Sequence, residues 1–217
     1  MVRKRPEGAS IAEQGTGAKL VAPSAERNKH VIAEVVKAHA PTSGAALELA
    51  SGTGQHVVTL AATCPGLRWQ PTEIDTERRA SIDEYTAESG LPNIRPALHL
   101  DATKTGWAAD FPPQDFVFLA NLLHLISARE AQTLIDETAK VLAEDGVCIF
   151  YGPFKRNGTL VSESDQAFHL KLITQDPEIG YKDSSDVIEW AKGAGLSHVA
   201  SQDMPANNLA IVLRKQA

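Results

Sequence analysis

The stretch "ALELASGTGQH", Ala46 to His56, joins an apolar run to a loop of small residues, and a helical pattern resumes in "VVTLAAT". Glycine carries no side chain to hold a ligand away, so Gly52 and Gly54 would let the backbone approach a bound molecule closely. A tight strand-to-helix turn with no ligand is the other reading of the same loop. A dinucleotide loop needs glycine or alanine in the third place of G-x-G-x-x-G, where "GTGQHV" has Val57, and no Gly-Lys-Ser/Thr follows to form a phosphate loop. Glu73 stands 19 positions after Gly54, at the end of the next expected strand, where a carboxylate can accept both hydroxyls of a ribose. Asp75 lies two residues further on. Asp101 follows the third expected strand, placed to accept from the amino group of an adenine, and Ala102 beside it is small enough for a flat base to lie against. Each of these carboxylates also reads as a solvated group at a strand end. His, Asp and Glu are scattered without ligand spacing, so no metal is expected.

These residues need elements to position them, and the chain supplies an alternation of strands and helices. "SAERNKHVIAEVVKAH" begins with a cap-type Ser24 and carries an apolar stripe at Val31, Ile32, Val35 and Val36. "AALELA" reads as a buried strand, "GQHVVTLAATC" as a helix and "LRWQPTEID" as the second strand. "ERRASIDEYTAESG" is helical up to Gly90, and "IRPALHLDA" reads as the third strand. "DFVFLAN" is the fourth and "VCIFYGPF" the fifth, with the amphipathic helix "REAQTLIDETAKVLAEDG" between them. Ser162 and Asp165 offer a capping box for a helix over 163–173, and "DSSDVIEWAKGAGL" gives another. "SHVASQDMPANNLAIVLRK" holds two strands with too short a link for a crossover, hence an antiparallel hairpin. The expected fold is α/β: a Rossmann-like, doubly wound, seven-stranded, mainly parallel sheet with a C-terminal antiparallel hairpin and helices on both faces. Residues 1–22, rich in glycine and charge, read as a flexible arm, and 23–217 as a single domain. The arm's own "GTG", Gly15 to Gly17, has no strand before it and reads as loose chain.

"ALELASGTGQH", "PTEID", "HLDAT" and "FVFLANLLH", in this order and at these intervals, resemble the motifs of a class I S-adenosylmethionine-dependent methyltransferase. The pieces "APSAERN", "WQPTEID", "GPFKRNG", "SESDQAF" and "MPANNL" extend the likeness over roughly nine tenths of the chain. They make it similar to the domain of unknown function 938 family, of the methyltransferase-like protein 26 type. Glu48 stands for the motif's acid, and Ala50 replaces its usual first glycine. The resemblance implies S-adenosylmethionine as cofactor and S-adenosylhomocysteine as product. It implies a donor site formed by Arg27, Asn28, Glu48, Ala50, Gly52, Thr53, Gly54, Glu73, Ile74, Asp101, Ala102 and Asn121. Arg27 would pair with the methionine carboxylate or lie solvated on its helix.

Methyl transfer is an in-line displacement at an activated carbon, so holding the partners in line is the main task and a base is needed only for a protic acceptor. His124, three residues after Asn121, titrates near neutrality and is a candidate base; packing at a helix start is the other reading. Tyr151, ending the fifth strand, is either a wall of the acceptor pocket or a core aromatic. Asn207 and Asn208 either reach that pocket or form a turn. The helix over 163–173 would cover it. With 217 residues and a formal charge of -6, the chain argues against non-specific nucleic-acid binding. No run approaches bilayer length, and the basic start lacks an apolar segment behind it, so a cytoplasmic protein with a small-molecule acceptor is expected. A cofactor-binding regulator without transferase activity, or an enzyme with a protein substrate, are the alternatives.

Overall fold

The computed structural model describes residues 6–216; Met1 to Arg5 of the expected arm, and Ala217, lie outside them. Two short strands, β1 (Glu13–Gln14) and β2 (Leu20–Val21), pair antiparallel ahead of α1 (Pro23–His39). Proline at the start of α1 costs nothing, because the first helical N–H groups have no partner in the helix. The chain then runs β3 (Gly44–Leu49), α2 (Gln55–Thr63), β4 (Leu67–Pro71) and α3 (Thr76–Ser89). Asp75 caps α3 by accepting from the N–H groups of Glu77 and Arg78, and Gly90, at φ 64°, ends it. Next come β5 (Gln114–Ala120), α4 (Ala128–Val141), β6 (Leu142–Pro153), α5 (Glu163–Gln175), α6 (Ser184–Gly193), β7 (Leu196–Asp203) and β8 (Asn208–Lys215). Ser127 and Glu130 form a complete capping box on α4.

The main sheet has the order β4-β3-β5-β6-β8-β7, with β4, β3, β5 and β6 parallel. β8 pairs antiparallel with both β6 and β7, and the latter pair is the expected hairpin. Alternation along each strand sorts the core into two layers. Phe116, Phe118, Ile149 and Tyr151 join Ile32 and Val36 of α1 and Leu60 of α2 on one face. Val117, Leu119, Cys148 and Phe150 join Leu134 and Ile135 of α4 and Val187 of α6 on the other.

Among the described residues the main sheet has six strands, which corrects the expected seven. The third expected strand, "IRPALHLDA", makes only isolated parallel bridges, Trp69 with Ile94 and Thr72 with Leu98. Hydrogen bonds run from Arg95 N to Trp69 O and from Leu98 N to Pro71 O, but Pro96 and Pro71 each lack the N–H that a continuous ladder needs. The segment still follows the sheet edge, and it delivers Asp101 to the end where the parallel strands stop.

The segment expected to be a loose arm is placed within the described residues. The "GTG" at Gly15 to Gly17 is the turn between β1 and β2, with Gly17 at φ 62° and Lys19 O accepting from Gly15 N. Leu20 N donates to Ser81 Oγ on α3, and Ala22 N donates to Gln55 Oε1 on α2. No described helix is long and apolar enough to cross a membrane.

A candidate ligand cavity at the strand ends

The loop after β3 turns sharply, and three of its residues hold left-handed backbone: Ala50 at φ 49°, Gly52 at 63° and Gly54 at 98°. The two glycines are needed for different reasons. A Cβ on Gly54 would lie 2.8 Å from Ile82 Cα, so this glycine lets α2 pack against α3. A Cβ on Gly52 would meet only Arg78 Nη1, at 3.7 Å, and Gly52 lines a cavity.

That cavity has a volume of about 720 Å³ and lies at the carboxyl ends of β3, β4 and β5. It brings together Ala50, Gly52, Thr53, Glu73, Ile74, Asp101, Ala102 and Asn121, all expected from the sequence. Glu73 organises its floor. One carboxylate oxygen accepts from Gly52 N at 3.0 Å, and the other accepts from Ile74 N at 2.9 Å and Asp75 N at 3.1 Å. The glycine loop and the strand end are thereby tied through one side chain. Asp101 Oδ1 accepts from the backbone and hydroxyl of Thr103, which fixes the turn at the far end. Asn121 holds a left-handed φ of 57° as the chain leaves β5.

Glu48 sits behind the loop rather than in it. It is 1% exposed, and its Oε2 has no hydrogen-bond partner among the described residues. Burial pushes its carboxyl up to about 8, the Glu73 charge adds to the shift and the Ser51 hydroxyl opposes it. Burial thus favours the neutral form of Glu48 behind the loop.

Five other expected residues, Gly54, Arg27, Asn28, Tyr151 and His124, also lie off the cavity wall. Arg27 is exposed on α1, because Ala25, Asn28 and Ile32 turn inward and position 27 falls on the opposite side of the helix. Asn28 reaches past the wall: its Oδ1 lies 2.8 Å from His56 Nε2 and its Nδ2 donates to Tyr151 Oη at 3.4 Å. Tyr151 is a core aromatic on the α1 face of β6, its hydroxyl raised by burial. His124 is buried on a short 3-10 turn, its ring 5.9 Å from that of Phe168 and 6.0 Å from that of Tyr181. Burial first, and the nearby Lys182 charge second, lower it to about 3, and it does not line the cavity. Asn207 also stays outside, donating to Ser162 Oγ and Asp165 Oδ2 at the start of α5.

The imidazole that does line the cavity toward α1 is His56. It is 8% exposed, and its ring meets Phe118 edge-on at 6.3 Å. Burial, with a smaller contribution from Lys29, lowers it to about 4. An amide oxygen only accepts, so Nε2 carries the proton and Nδ1 the lone pair. His99 lines the opposite end, its Nδ1 facing the Arg79 guanidinium at 3.1 Å. His56 belongs to the loop motif, and nothing in the local sequence marks it as facing a cavity. Ser24 and Ala25 of α1, Arg78 of α3, and Pro6 and Ser10 of the N-terminal segment also line the cavity and carried no spacing signal.

The sequence model of the family described as "Protein of unknown function (DUF938)" matches residues 19–215. Among solved structures, the fold is similar to an O-methyltransferase family protein from Burkholderia thailandensis, with TM-score 0.75 and 17% identity over 89% of this chain and 57% of that one. It is similar to human N-acetylserotonin methyltransferase in complex with S-adenosylmethionine, with TM-score 0.73 and 16% identity over 89% and 53%. An O-methyltransferase family 2 protein from Planctomyces limnophilus, in complex with apigenin, gives TM-score 0.73 and 19% identity over 88% and 60%. At these identities the likeness is one of fold, and this chain spans little more than half the length of those structures.

Proposed function

The chain belongs to the family described as "Protein of unknown function (DUF938)", and from its methyltransferase-like fold and its cavity we propose an S-adenosylmethionine-dependent methyltransferase with a small-molecule acceptor. The observation that carries this reading is the meeting of the Gly52 loop and the Glu73 carboxylate in one cavity at the strand ends. The residues fit such a donor. The loop offers open space where a Cβ of Gly52 would stand, Glu73 offers carboxylate oxygens to a ribose, and Ala102 offers a small flat contact beside Asp101. When bound, the donor supplies a methyl group on a sulfonium, already activated for in-line displacement.

In this reading Ala50, Gly52 and Thr53 hold the amino-acid end, and Ile74, Asp101 and Ala102 hold the base. Asn121 stands where β5 ends, beside the acceptor. His56, rather than His124, is the base in this reading: its Nδ1 lone pair accepts the proton of a protic acceptor, and Asn28, itself held by Tyr151, keeps the ring in that tautomer. Burial keeps the ring neutral and its lone pair free to accept. The apigenin held by one similar structure, and the acidic charge of this chain, support a small acceptor over a nucleic acid. A cytoplasmic location and the methyltransferase-like protein 26 type belong to the same proposal.

Calorimetric titration with S-adenosylmethionine and S-adenosylhomocysteine tests it. Micromolar binding is expected, weakened several-fold or more in Glu73→Ala. Unchanged affinity in that variant removes Glu73 from the site. No binding at millimolar ligand by the folded chain overturns the donor assignment. Turnover on a protein fraction alone would replace the small acceptor with a protein.

A further inference from the structure

Residues 6–10 cross the mouth of the cavity from α5 to α3, and Pro6 and Ser10 form part of its wall. At the α5 end, Gln175 grips both backbone groups of Glu7: Glu7 N donates to its Oε1 at 2.7 Å, and its Nε2 donates to Glu7 O at 3.2 Å. At the α3 end, Arg78 donates through Nη1 to Ser10 Oγ at 2.9 Å and through Nη2 to Ser10 O at 2.7 Å. Between these clamps the Ala9 methyl is buried with Leu125, Leu172, Ile179 and Tyr181, and Leu125 itself lines the cavity. Left-handed backbone at Gly8 (φ 71°) and Ser10 (φ 55°) folds the segment down onto this cluster.

We infer that residues 6–10 are a movable cover over the ligand cavity, clamped by Gln175 and latched by Arg78. This rests on the reading that the cavity takes an S-adenosyl ligand. Among the described residues, the buried side chains of Pro6 and Ala9 and four hydrogen bonds at the protein surface hold the segment. Such contacts open far more readily than a buried sheet, because water replaces most of what is lost. The latch stands next to the donor loop, since Arg78 Nη1 is the nearest atom to the missing Cβ of Gly52. A ligand seated on that loop therefore lies under the cover and leaves only when it lifts. The family match begins at residue 19, so the cover is a feature of this chain outside that match.

The experiment uses the full chain with S-adenosylhomocysteine as probe and reads amide exchange over residues 7–10 and the dissociation rate. Ala9→Asp puts a carboxylate into the apolar cluster and expels the cover without touching the donor loop. Gln175→Ala, on an exposed position of α5, removes one clamp. The expected result is slower exchange over residues 7–10 when the ligand is bound. Dissociation should be about tenfold or more faster in Ala9→Asp and intermediate in Gln175→Ala, with unchanged urea midpoints. Binding with wild-type rates in both variants, or exchange that ignores the ligand, overturns the cover alone. Failure of the wild-type chain to bind at all is a different outcome, and it overturns the donor reading beneath it.

Discussion

Replacing Gly54 by alanine should destabilise the fold, and replacing Gly52 should spare the fold but harm binding. At Gly54 the new Cβ would stand 2.8 Å from Ile82 Cα and 3.4 Å from its Cγ1, and backbone on α3 cannot rotate aside as a side chain would. Relieving such a clash by moving a helix costs about 1–3 kcal/mol. The φ of 98° adds the left-handed penalty of an L residue, about 1–2 kcal/mol. Together these amount to about 2–5 kcal/mol, which lowers the melting temperature of a domain this size by roughly 4–20 °C. Gly52→Ala meets no atom closer than 3.7 Å, so only the conformational penalty of about 1–2 kcal/mol applies. Its methyl occupies space that a ligand on the loop would fill, and affinity for S-adenosylhomocysteine should fall at least about tenfold. Urea unfolding of both variants, with calorimetric titration at a temperature where each is folded, separates the two effects. A Gly54→Ala chain as stable as wild type would show that contact with α3 does not require the glycine. A Gly52→Ala chain that binds normally would refute the placement of the ligand on the loop.

Three further outcomes follow from the same site. Glu48 rises from 4.5 unfolded to about 8 folded, so its neutral form favours the native state below pH 4.5 and that stability is lost as pH climbs toward 8; Glu48→Gln should abolish this loss, gaining on the order of a few kcal/mol over wild type at pH 8 and little at pH 5, measured by urea midpoints. His56 falls from 6.5 to about 4, the opposite case for stability, which is complete above pH 6.5 and lost as pH drops toward 4; His56→Gln should flatten that acid limb, and an unchanged limb would show that the ring is solvated. Ala50→Gly relieves a left-handed alanine at φ 49° and should stabilise by about 1 kcal/mol at most, read as a higher urea midpoint with affinity kept.

The parts of the fold that alternation governs were legible. The apolar runs of β3, β5 and β6 put alternate residues on opposite layers, and the glycine loop and Glu73 met as their spacing implied. The third strand was misread because its apolar pattern outweighed Pro96, whose missing N–H breaks the ladder. Arg27 was placed by its neighbours in the motif, although the stripe of α1 already put it on the outer side. His124 is a candidate base only by its distance from a strand end, and the structure shows the other reading, packing. Distance along the chain says nothing about which way a short turn faces, and Phe168 and Tyr181, far away in sequence, claim that ring. The N-terminal segment was invisible for a similar reason. Gly8 and Ala9 signal nothing locally, and their place depends on Gln175, 168 residues away from Glu7.

The position of β8 bears on how this chain is made. It follows every other strand of the sheet in sequence, yet it lies inside, hydrogen-bonded on one side to β6 and on the other to β7. As the chain leaves the ribosome, β4, β3, β5 and β6 can assemble with α1 to α4 around them, while the far side of β6 waits with open N–H and C=O groups. β7 emerges before its only neighbour exists. At ribosomal rates of about 5–20 residues per second, the interval from the end of β6 to the end of β8 lasts several seconds. An unpaired β6 edge, flanked by Ile149 and Phe150, offers other nascent chains a strand to pair with during that time. The last strand to arrive should therefore limit the yield of folded protein, and slowing translation between β6 and β8 should cost more soluble protein than slowing it anywhere earlier.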